Sequence, residues 1–298
     1  MNLLKAFRKP EYVFRPQQVF IKIGRTVRPS KNTFEDVTLP WGAKLRICPN
    51  EHIGARIWHR GVFDLATLEA ISRLVDPGDV TVDIGANIGQ MTTLMSRCVG
   101  KSGRVFAFDP HPDVFRILSE NVSRLKAGGE NGEVLLHNVA LSDEEGEAFL
   151  DLGEGWATNN GLARLAENGK QGGKVLPVKI ATLDRMVGLE TKVGFCKLDV
   201  EGHELKVLAG AATLLKERRI RDILFEDLGP YPSAVQEHLA GLGYTLFALV
   251  ERISRPILDE NWRQPSFDGD LEGADFLATL EPERAKERFK RSGWSVLE

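Results

Sequence analysis

The stretch Val82–Gln90, VDIGANIGQ, joins an acidic residue to a turn that contains two glycines. Asp83 lies near the end of an apolar run that is typical of a buried strand, and Gly85 and Gly89 frame the turn before an amphipathic helix. At the carboxyl end of a parallel strand, such a turn lets the backbone lie close to a ligand. A carboxylate here would repel a pyrophosphate, so the stretch favours a cationic ligand. The alternative is that Asp83 only caps the turn.

A second acidic residue, Asp109, ends the next apolar segment, VFAFDP, 26 residues after Asp83. That separation fits one strand–helix–strand unit and places Asp109 where a carboxylate can accept hydrogen bonds from a ribose diol. The pair predicts a nucleoside pocket, and the acidic first turn favours S-adenosylmethionine, which is cationic at its sulfur and its amine. A nucleotide-dependent oxidoreductase is the weakest hypothesis, because the GxGxxG turn that a pyrophosphate needs is absent.

Short apolar segments alternate with helical ones from Asp79 to about residue 250, which predicts a parallel sheet with helices on both faces. The predicted strands are 80–84, 104–109, 133–139, 194–199, 221–226, 244–249 and 274–280. The predicted helices among them are 89–99, 112–127, 203–217 and 232–241. Ahead of this alternation, TFEDVTLPWGAKLRIC predicts a hairpin and FDLATLEAISRLV predicts a helix. Additional strands are predicted between 140 and 180, around a polar, glycine-rich loop.

Several motifs together resemble the FkbM family of S-adenosylmethionine-dependent methyltransferases. They are VDIGANIGQMTTL, VFAFDPHPDVFRILSENV, NVALSDEEGEAFL, TLDR and KLDVEGHELKVLAGA, and the resemblance covers about 61–280. It implies a class I methyltransferase fold: a Rossmann-like α/β sheet, mostly parallel and seven-stranded, with the last strand antiparallel and helices on both faces. It also implies O-methylation of a hydroxyl on a small molecule, sugar or glycan. One departure is Asp109, where the family more often has Glu.

Three parts follow from this division of the chain. Residues 1–75 form a small N-terminal extension, with a hairpin and a helix, that borders the substrate entrance or makes dimer contacts. Residues 76–280 form the methyltransferase domain, with a lid insertion near 153–174. Residues 281–298 form a charged C-terminal tail, predicted to be a surface helix. Trp41, at the predicted hairpin tip, is expected to line the substrate entrance.

Seven residues at the ends of the first three strands are assigned to the cofactor. They are Asp83, Gly85, Asn87, Gly89, Asp109, His111 and Asn138. The turn around Asn87 is expected to hold the methionine part, Asp109 the ribose and Asn138 the adenine. His111 has two alternatives: it stacks beside the ribose, or it only caps the following helix.

Four ionisable side chains follow the fourth strand, in LDVEGHE: Asp199, Glu201, His203 and Glu204. Methyl transfer to a hydroxyl is an in-line displacement in which the hydroxyl loses its proton. His203 is the first choice for the base because imidazole titrates near neutral pH. Asp199 could serve as the base or orient the acceptor, and Glu226, at the end of the fifth strand, could bind a sugar hydroxyl. The alternative is that His203 is a solvated first-turn residue and that the glutamates only favour a helix N-terminus.

The same acidic group supports a second hypothesis, a site for Mg²⁺ formed by Asp199, Glu201 and His203 with Glu226. The spacing does not decide between the two, and we assign no metal ligand. Phe63 and Asp64, just before a predicted helix, are expected to reach the methionine side of the pocket.

The lid is expected to cover the acceptor. Trp156 offers a flat apolar face for stacking on a sugar, and Asn159, Asn160 and Glu201 offer groups that bind hydroxyls. The alternative is a surface loop whose tryptophan fills a local gap.

Composition limits the partners. The 298 residues carry 39 Lys and Arg against 42 Asp and Glu, so no global positive field attracts nucleic acid, and no nucleic-acid partner is expected. The three cysteines lack disulfide or metal spacing and are predicted to be reduced. No apolar run reaches membrane-spanning length and the N-terminus lacks the core of a signal peptide, which predicts a cytoplasmic protein.

Two functional hypotheses remain at this point. The first is an S-adenosylmethionine-dependent O-methyltransferase acting on a small-molecule or sugar hydroxyl. The second is a catalytically inactive S-adenosylmethionine-binding or assembly protein with the same fold. A homodimer is compatible with both.

Overall fold

An eight-stranded mixed sheet forms the centre of the fold. The computed structural model describes residues 9–30, 33–125, 129–153, 164–166, 174–227, 230–265 and 275–298. In spatial order the strands are β13 (Pro256–Asp259), β12 (Thr245–Glu251), β14 (Asp275–Thr279), β11 (Ile220–Glu226), β10 (Val193–Leu198), β3 (Val80–Ile84), β4 (Arg104–Phe108) and β5 (Glu133–His137). Strand β14 runs antiparallel to both neighbours and β13 runs antiparallel to β12, while the other strands share one direction.

The sheet confirms the predicted fold class and adds one strand to it. The seven predicted strands are present, with ends within two residues of the prediction, and the last of them, β14, is the antiparallel one. The prediction of seven strands missed β13, which pairs only with β12 at the edge of the sheet. Its four residues begin with Pro256, a residue that edge strands tolerate but that otherwise indicates a loop.

The two central strands, β3 and β10, lie between helices. All six residues of β10 are buried, including Lys197, and the register of the sheet places Lys197 beside Asp83 of β3. A charged side chain is stable in such a position only when an opposite charge or a hydrogen bond compensates it. The register therefore sets an ion pair at the centre of the sheet, directly below the turn that follows β3.

Helices cover both faces of the sheet and extend to the chain ends. They are α1 (Pro10–Val13), α2 (Gln17–Val27), α3 (His52–Arg60), α4 (Leu65–Leu74), α5 (Gln90–Val99), α6 (Pro112–Ser123), α7 (Leu183–Val187), α8 (Glu204–Ala209), α9 (Ala212–Lys216), α10 (Ala234–Gly241) and α11 (Pro282–Phe289). The predicted helix 203–217 is divided into α8 and α9. A Cβ at Gly210 would lie 1.9 Å from the carbonyl oxygen of Ser142, so the chain turns at the glycine that permits this approach.

Two smaller sheets complete the described part of the fold. The predicted hairpin is the antiparallel pair β1 (Glu35–Thr38) and β2 (Lys44–Ile47). Strands β6 (Ala140–Leu141), β9 (Val175–Ala181), β7 (Gly146–Asp151) and β8 (Arg164–Ala166) pair in that order and include the strands predicted between 140 and 180. Trp41 does not line the entrance as expected, because its Nε1 donates to Thr93 Oγ1 at 3.2 Å and its ring packs against the core.

The C-terminal segment contributes to the core, whereas the sequence predicted a charged surface tail. Helix α11 is present, but Trp294 beyond it is completely buried and its Nε1 donates to the carbonyl oxygen of Ile253 at 3.0 Å. The buried carboxylate of Glu69 accepts the backbone N–H groups of Ser295 and Val296, each at 3.0 Å. The sequence prediction failed here because the segment has many charged residues and only a few apolar ones, so its buried positions did not form a recognisable pattern.

Candidate active site

A cavity of about 370 Å³ lies at the carboxyl ends of the parallel strands. Around β3 the strand order reverses, because β4 and β5 extend to one side of it and β10 and β11 to the other. Open α/β sheets bind ligands at this reversal, and the volume falls within the range of small-ligand sites. Position and size therefore make this cavity the candidate site.

One side of the cavity is apolar. Its lining includes Phe108 at the end of β4, Val139 and Leu141 beyond β5, and Leu150 and Leu165 from the small sheet. Apolar walls of this kind accommodate a flat heterocyclic ring.

Asp109 lies at the edge of the apolar wall and is only 7% exposed. Its Oδ2 accepts the backbone N–H of Asn87 and its Oδ1 accepts the backbone N–H of His111, each at 3.0 Å. Burial raises the pKa of Asp109 to about 7, against the effect of these two hydrogen bonds. Each carboxylate oxygen has a further lone pair, so the group can accept hydrogen bonds from two hydroxyls as well.

The turn after β3 brings the backbone close to the fourth strand end. Gly85 has a φ of 77°, and a Cβ there would lie 1.9 Å from the carbonyl oxygen of Asp199. Asn87 also adopts a left-handed conformation, with a φ of 49°, and its Oδ1 accepts the N–H of Ile88 at 2.8 Å. Gly85 and Asn87 both line the cavity.

His111 caps the following helix, as one of the two alternatives expected, and it also lines the cavity. Its Nδ1 accepts the backbone N–H of Asp113 at 3.2 Å, so it caps helix α6, and its ring also lines the cavity. Burial lowers the pKa of His111, which favours the neutral ring that a capping acceptor requires.

Asp83 lies beneath the cavity and is not among the residues that line it. Its side chain is completely buried, Oδ2 accepts from Thr92 Oγ1 at 2.5 Å, and Oδ1 lies 3.9 Å from Lys197 Nζ. Oδ1 is buried and has no hydrogen-bond partner among the described residues. Burial raises the pKa of Asp83, and Lys197 opposes that shift.

Lys197 connects Asp83 to the cavity. Its Nζ donates to Asp199 Oδ2 at 3.0 Å and to the carbonyl oxygen of Gly85 at 3.3 Å, and it lines the site. Burial alone would lower the pKa of Lys197, but the carboxylates of Asp199 and Asp83 outweigh burial and raise it. The lysine is therefore a fixed cation between a buried carboxylate and an accessible one.

Two further predicted cofactor residues also lie outside the cavity lining. Gly89 begins helix α5, and a Cβ there would lie 2.7 Å from Leu118 Cδ1, so the glycine permits close packing of two helices. Asn138 is exposed, and its Nδ2 donates to the carbonyl oxygens of Asp109 at 2.8 Å and Pro110 at 3.0 Å. Asn138 therefore supports the backbone that carries Asp109.

Opposite the apolar wall, five carboxyl groups line the cavity: Asp64, Asp199, Glu201, Glu226 and Asp275. We call this group the acidic edge. Burial, followed by the charges of Asp199 and Glu201, raises the pKa of Glu226 to about 8. Burial and neighbouring carboxylates also raise the pKa of Asp275 well above its usual value. This mutual repulsion favours a cation or a hydrogen-bond donor in the cavity.

Carboxylate oxygens of Asp199, Glu201 and Glu226 lie within 4.8 Å of one another. His203, the fourth ligand of the magnesium hypothesis, does not belong to this cluster, and its Nε2 instead lies 3.0 Å from Ser142 Oγ. The described residues therefore bring three of those four groups together.

Asp275 was not among the sequence-predicted site residues. It begins the antiparallel strand β14, and the register pairs it with Glu226. The N-terminal end of an antiparallel strand lies at the same sheet edge as the C-terminal ends of its parallel neighbours. The predicted antiparallel direction of the last strand was therefore enough to place its first residue, Asp275, at the edge of the sheet that carries the site.

Helix α3 was also missed, together with its cavity-lining residues His52, Ile53 and Arg56. The sequence feature that could have indicated this helix is Glu51, which caps its N-terminus: the Glu51 side chain accepts the backbone N–H of Gly54 at 3.0 Å. Phe63 and Asp64, which were expected near the methionine side, do line the cavity.

His203 contacts Ser142, which follows β6 and is itself bonded to Asp143. Ser142 Oγ donates to Asp143 Oδ1 at 2.9 Å, and this hydrogen bond lowers the pKa of Asp143. A serine has one hydroxyl proton, so Ser142 Oγ must accept from His203 Nε2 at 3.0 Å. In the neutral ring, Nδ1 then carries the lone pair. The expectation that His203 lines the site is met by its position in the cavity wall.

Part of the expected acceptor side lies outside the described residues, namely Trp156, Asn159 and Asn160. Glu201 is described and lines the cavity, and its Oε2 lies 3.5 Å from Nη2 of Arg164, which belongs to strand β8. The small sheet thus reaches the acidic edge through one ion pair.

The sheet order, with an antiparallel strand between β11 and β12, together with Asp83 within β3 and Asp109 directly after β4, defines a class I methyltransferase fold. Residues 83–246, more than half of the chain, match the family model described as the methyltransferase FkbM domain. The chain therefore belongs to the FkbM methyltransferase family.

Two relatives have sequences 31% identical to this chain. Hexuronic acid methyltransferase AglP of Haloferax volcanii aligns over 166 residues, 54% of this chain and 62% of that protein. The chain thus spans less than two-thirds of the length of AglP. 31-O-demethyl-FK506 methyltransferase FkbM of Streptomyces tacrolimicus aligns over 201 residues, 58% of this chain and 75% of that protein.

A solved structure of methyltransferase FkbM from Methylobacillus flagellatus KT is also similar. It covers 76% of this chain and 60% of its own chain, with a TM-score of 0.43 and 14% identity. A similarity this low adds nothing to the description of the fold given by the sheet order.

Proposed function

We propose that this protein is an S-adenosylmethionine-dependent O-methyltransferase that methylates a hydroxyl of a small molecule, sugar or glycan. The observation that carries the proposal is that one cavity joins Asp109, beside an apolar wall, to an acidic edge that can hold a cation and accept a proton. The names of two relatives support the reaction class, since one is a hexuronic acid methyltransferase and the other a 31-O-demethyl-FK506 methyltransferase.

The residues fit the cofactor by their chemistry. Asp109 has accepting capacity left for a ribose diol, the apolar wall suits adenine, and the acidic edge suits positive charge. Asn87 and His111 border the same pocket, whereas Asp83 acts indirectly by fixing Lys197 below Gly85. When bound, S-adenosylmethionine supplies a methyl group on a positively charged sulfur.

Proton removal is assigned to the opposite side of the cavity. His203 lines the cavity and takes the proton of the acceptor hydroxyl, and the contact of its Nε2 with Ser142 orients the ring. Asp199 orients the hydroxyl from its fixed position on Lys197. Glu226 and Glu201 accept hydrogen bonds from neighbouring hydroxyls of the acceptor.

The proposal extends to parts of the chain that were assigned from sequence alone. Trp156, Asn159 and Asn160 belong to a lid over the acceptor within 153–174. The extension 1–75 borders the entrance or a homodimer contact, and the domain 76–280 is completed by the C-terminal segment that packs against α4. A cytoplasmic location and the absence of a nucleic-acid partner are also proposed. In the described part of the chain, no helix combines the length and apolar character needed to cross a bilayer.

The decisive experiment separates cofactor binding from turnover. Calorimetry with S-adenosylmethionine measures binding, and incubation with the methyl-labelled cofactor and hydroxylated extracts measures transfer to a product. Asp83→Asn is expected to weaken binding, since it removes the charge that fixes Lys197. Binding without any labelled product would support the alternative, a catalytically inactive binding or assembly protein. Absence of binding would contradict both.

A divalent cation is the second candidate component. Three carboxylates with oxygens within 4.8 Å of one another match the hard-ligand chemistry of Mg²⁺. If the cluster binds magnesium, EDTA will abolish turnover and added Mg²⁺ will restore it. Unchanged turnover in EDTA would assign Asp199, Glu201 and Glu226 to the acceptor alone.

A further inference from the structure

The orientation of helix α2 is the reverse of that expected for a surface helix of a globular protein. Such a helix normally turns its apolar side to the core and its polar side to solvent. In α2, Phe20 is 76% exposed, Ile23 is 50% exposed and Val27 is 73% exposed. These residues are separated by three and four positions, so they form one stripe along the helix.

The polar side of α2 holds the helix to the protein. Gln18 is buried and its Nε2 donates to the carbonyl oxygen of His59 at 3.3 Å. The guanidinium of Arg25 lies 3.6 Å from the centre of the Trp58 ring and donates to the carbonyl oxygen of Trp58. These contacts fix which side of α2 faces outward, and that side is apolar.

Exposed apolar residues just before α2 extend the stripe. Val13 is 47% exposed and Phe14 is 38% exposed. We call the residues Val13, Phe14, Phe20, Ile23 and Val27 the apolar face. An exposed apolar surface of this extent indicates a partner.

Charge distinguishes among the partners of the apolar face. Residues 1–30 contain seven Lys or Arg and a single Glu, a net charge of +6, whereas the whole chain carries −3, so the remainder carries −9. A two-fold dimer through this face would bring the same positive segment against itself, which is unfavourable. A helix with an apolar face and surrounding cations fits an anionic lipid surface.

We propose that the apolar face of α2 docks on the surface of a bilayer containing anionic phospholipid. The helix lies in the interface with Phe20, Ile23 and Val27 among the acyl chains, and the exposed Arg28 at its end binds the headgroups.

Docking through α2 would place the cavity near the lipid. Helix α3 holds α2 through Trp58 and His59 and lines the cavity through His52, Ile53 and Arg56. The cavity is therefore separated from the docked helix by one helix, a distance of about 10 Å. A cavity at this distance from the bilayer suits a methyl acceptor that is itself held at the bilayer. That consequence rests on the proposed function, whereas the docking proposal does not depend on it.

Sedimentation with vesicles tests the docking. The full chain is expected to bind vesicles of equimolar phosphatidylcholine and phosphatidylglycerol, and to bind phosphatidylcholine alone far more weakly. High salt is expected to weaken binding, because the Debye length falls from about 10 Å at 0.1 M to about 3 Å at 1 M. Failure to bind the anionic vesicles, or equal binding to both, would overturn the proposal.

Substitutions assign the binding to the apolar face. The combination of Phe20→Ser, Ile23→Ser and Val27→Ser is expected to weaken binding about a hundredfold or more, since it removes three large apolar side chains. Leu189→Ser with Ile253→Ser is the matched control, because these apolar side chains are exposed on other elements, and it is expected to bind as the wild type does. Equal losses in both variants would contradict the assignment.

Charge and self-association are tested separately. Arg28→Glu is expected to weaken binding about fivefold or more, since each cation near an anionic surface contributes about 1 kcal/mol, and Lys101→Glu, also exposed, is its control. Methyl transfer to a water-soluble acceptor is expected to be equal in all these variants. A wild-type dimer that the serine variant dissociates, with no vesicle binding, would identify a second copy as the partner and overturn the proposal.

Discussion

Asp109 is the residue whose ionisation should control cofactor affinity. Burial raises its pKa to about 7, and only the deprotonated carboxylate accepts hydrogen bonds from both ribose hydroxyls. Below that pH the group is protonated, so affinity for S-adenosylmethionine is expected to rise as the pH increases through about 7. Calorimetry at a series of pH values, with unfolding checked at each, measures this directly.

Asp109→Asn should lower that affinity by about tenfold to a hundredfold, since hydrogen bonds to a charged group contribute about 1.5–3 kcal/mol. The pH dependence near 7 should disappear with the carboxylate. Asp113→Asn, an exposed change two positions from His111, is the control and should preserve both affinity and pH dependence. Retention of the pH dependence in Asp109→Asn would assign it to another group.

His203 should affect turnover and spare cofactor binding. General base catalysis contributes about a hundredfold to ten-thousandfold, so His203→Ala is expected to lower kcat within that range. Ser142→Ala should lower kcat less, about tenfold, because the ring loses the acceptor that fixes its tautomer. Labelled-methyl transfer under saturating cofactor measures both effects.

The control for His203 is His238, an exposed histidine on helix α10, and His238→Ala should leave kcat unchanged. If His203→Ala also retains full turnover, the proton must go to another group, and Glu226, with a pKa of about 8, becomes the candidate. If Glu226 is the base, kcat of the wild type should rise as the pH increases through about 8, and kcat of Glu226→Gln should not show this pH dependence.

At the scale of elements, the junction of β3 and β10 sets the shape of the cavity. Gly85 has a left-handed φ of 77° and would place a Cβ 1.9 Å from the carbonyl oxygen of Asp199. Gly85→Ala should therefore push the two strand ends apart and abolish cofactor binding. The expected cost in free energy of unfolding is about 1–2 kcal/mol for the conformation plus about 1–3 kcal/mol for the overlap.

Gly42 provides the matched control for Gly85. Its φ is 85°, and nothing lies within 4 Å of a Cβ built there. Gly42→Ala should cost only the conformational part, about 1–2 kcal/mol, and leave cofactor affinity unchanged. Urea denaturation of the two variants gives the free energies, and equal losses would show that the contact with Asp199 has no energetic effect.

The strand ends were predictable because alternation and periodicity are local properties of the sequence. Asp109 could be placed at a strand end from VFAFDP alone, and the confirmed antiparallel strand β14 followed from the family resemblance. Contacts between distant segments could not be predicted in this way. The approach of Ser142 to His203 spans 61 residues and depends on the turn at Gly210, which no local pattern reveals.

Buried charge also limited the prediction. The sequence placed Asp83 in direct contact with a ligand, whereas the register of the sheet turns it toward Lys197. A strand residue and its neighbour across the sheet cannot be paired from one sequence without knowing the register. Asp275 is a different case, because the predicted antiparallel direction of its strand already placed the start of that strand at the edge that carries the site.

At the scale of the whole molecule, charge is divided between two regions. The first 30 residues carry +6, while the acidic edge gathers carboxylates from the N-cap of α4, from β11 and β14, and from the segment after β10. Because these elements come from separate parts of the chain, the acidic edge exists only in the folded protein. Its field acts on every acceptor that enters the cavity, and it opposes negative charge.

An uncharged sugar should therefore be a better acceptor than its anionic counterpart. We expect kcat/KM for methyl glucoside to exceed that for methyl glucuronide by about tenfold or more, since like charges brought together in a site cost several kcal/mol. Raising the salt concentration should narrow the ratio, because screening weakens the repulsion. Glu201→Gln should narrow it too, whereas Asp113→Asn, outside the cavity, should leave it unchanged. A preference for the glucuronide would mean that a cation in the cavity, either Arg56 or a bound metal, outweighs the acidic edge.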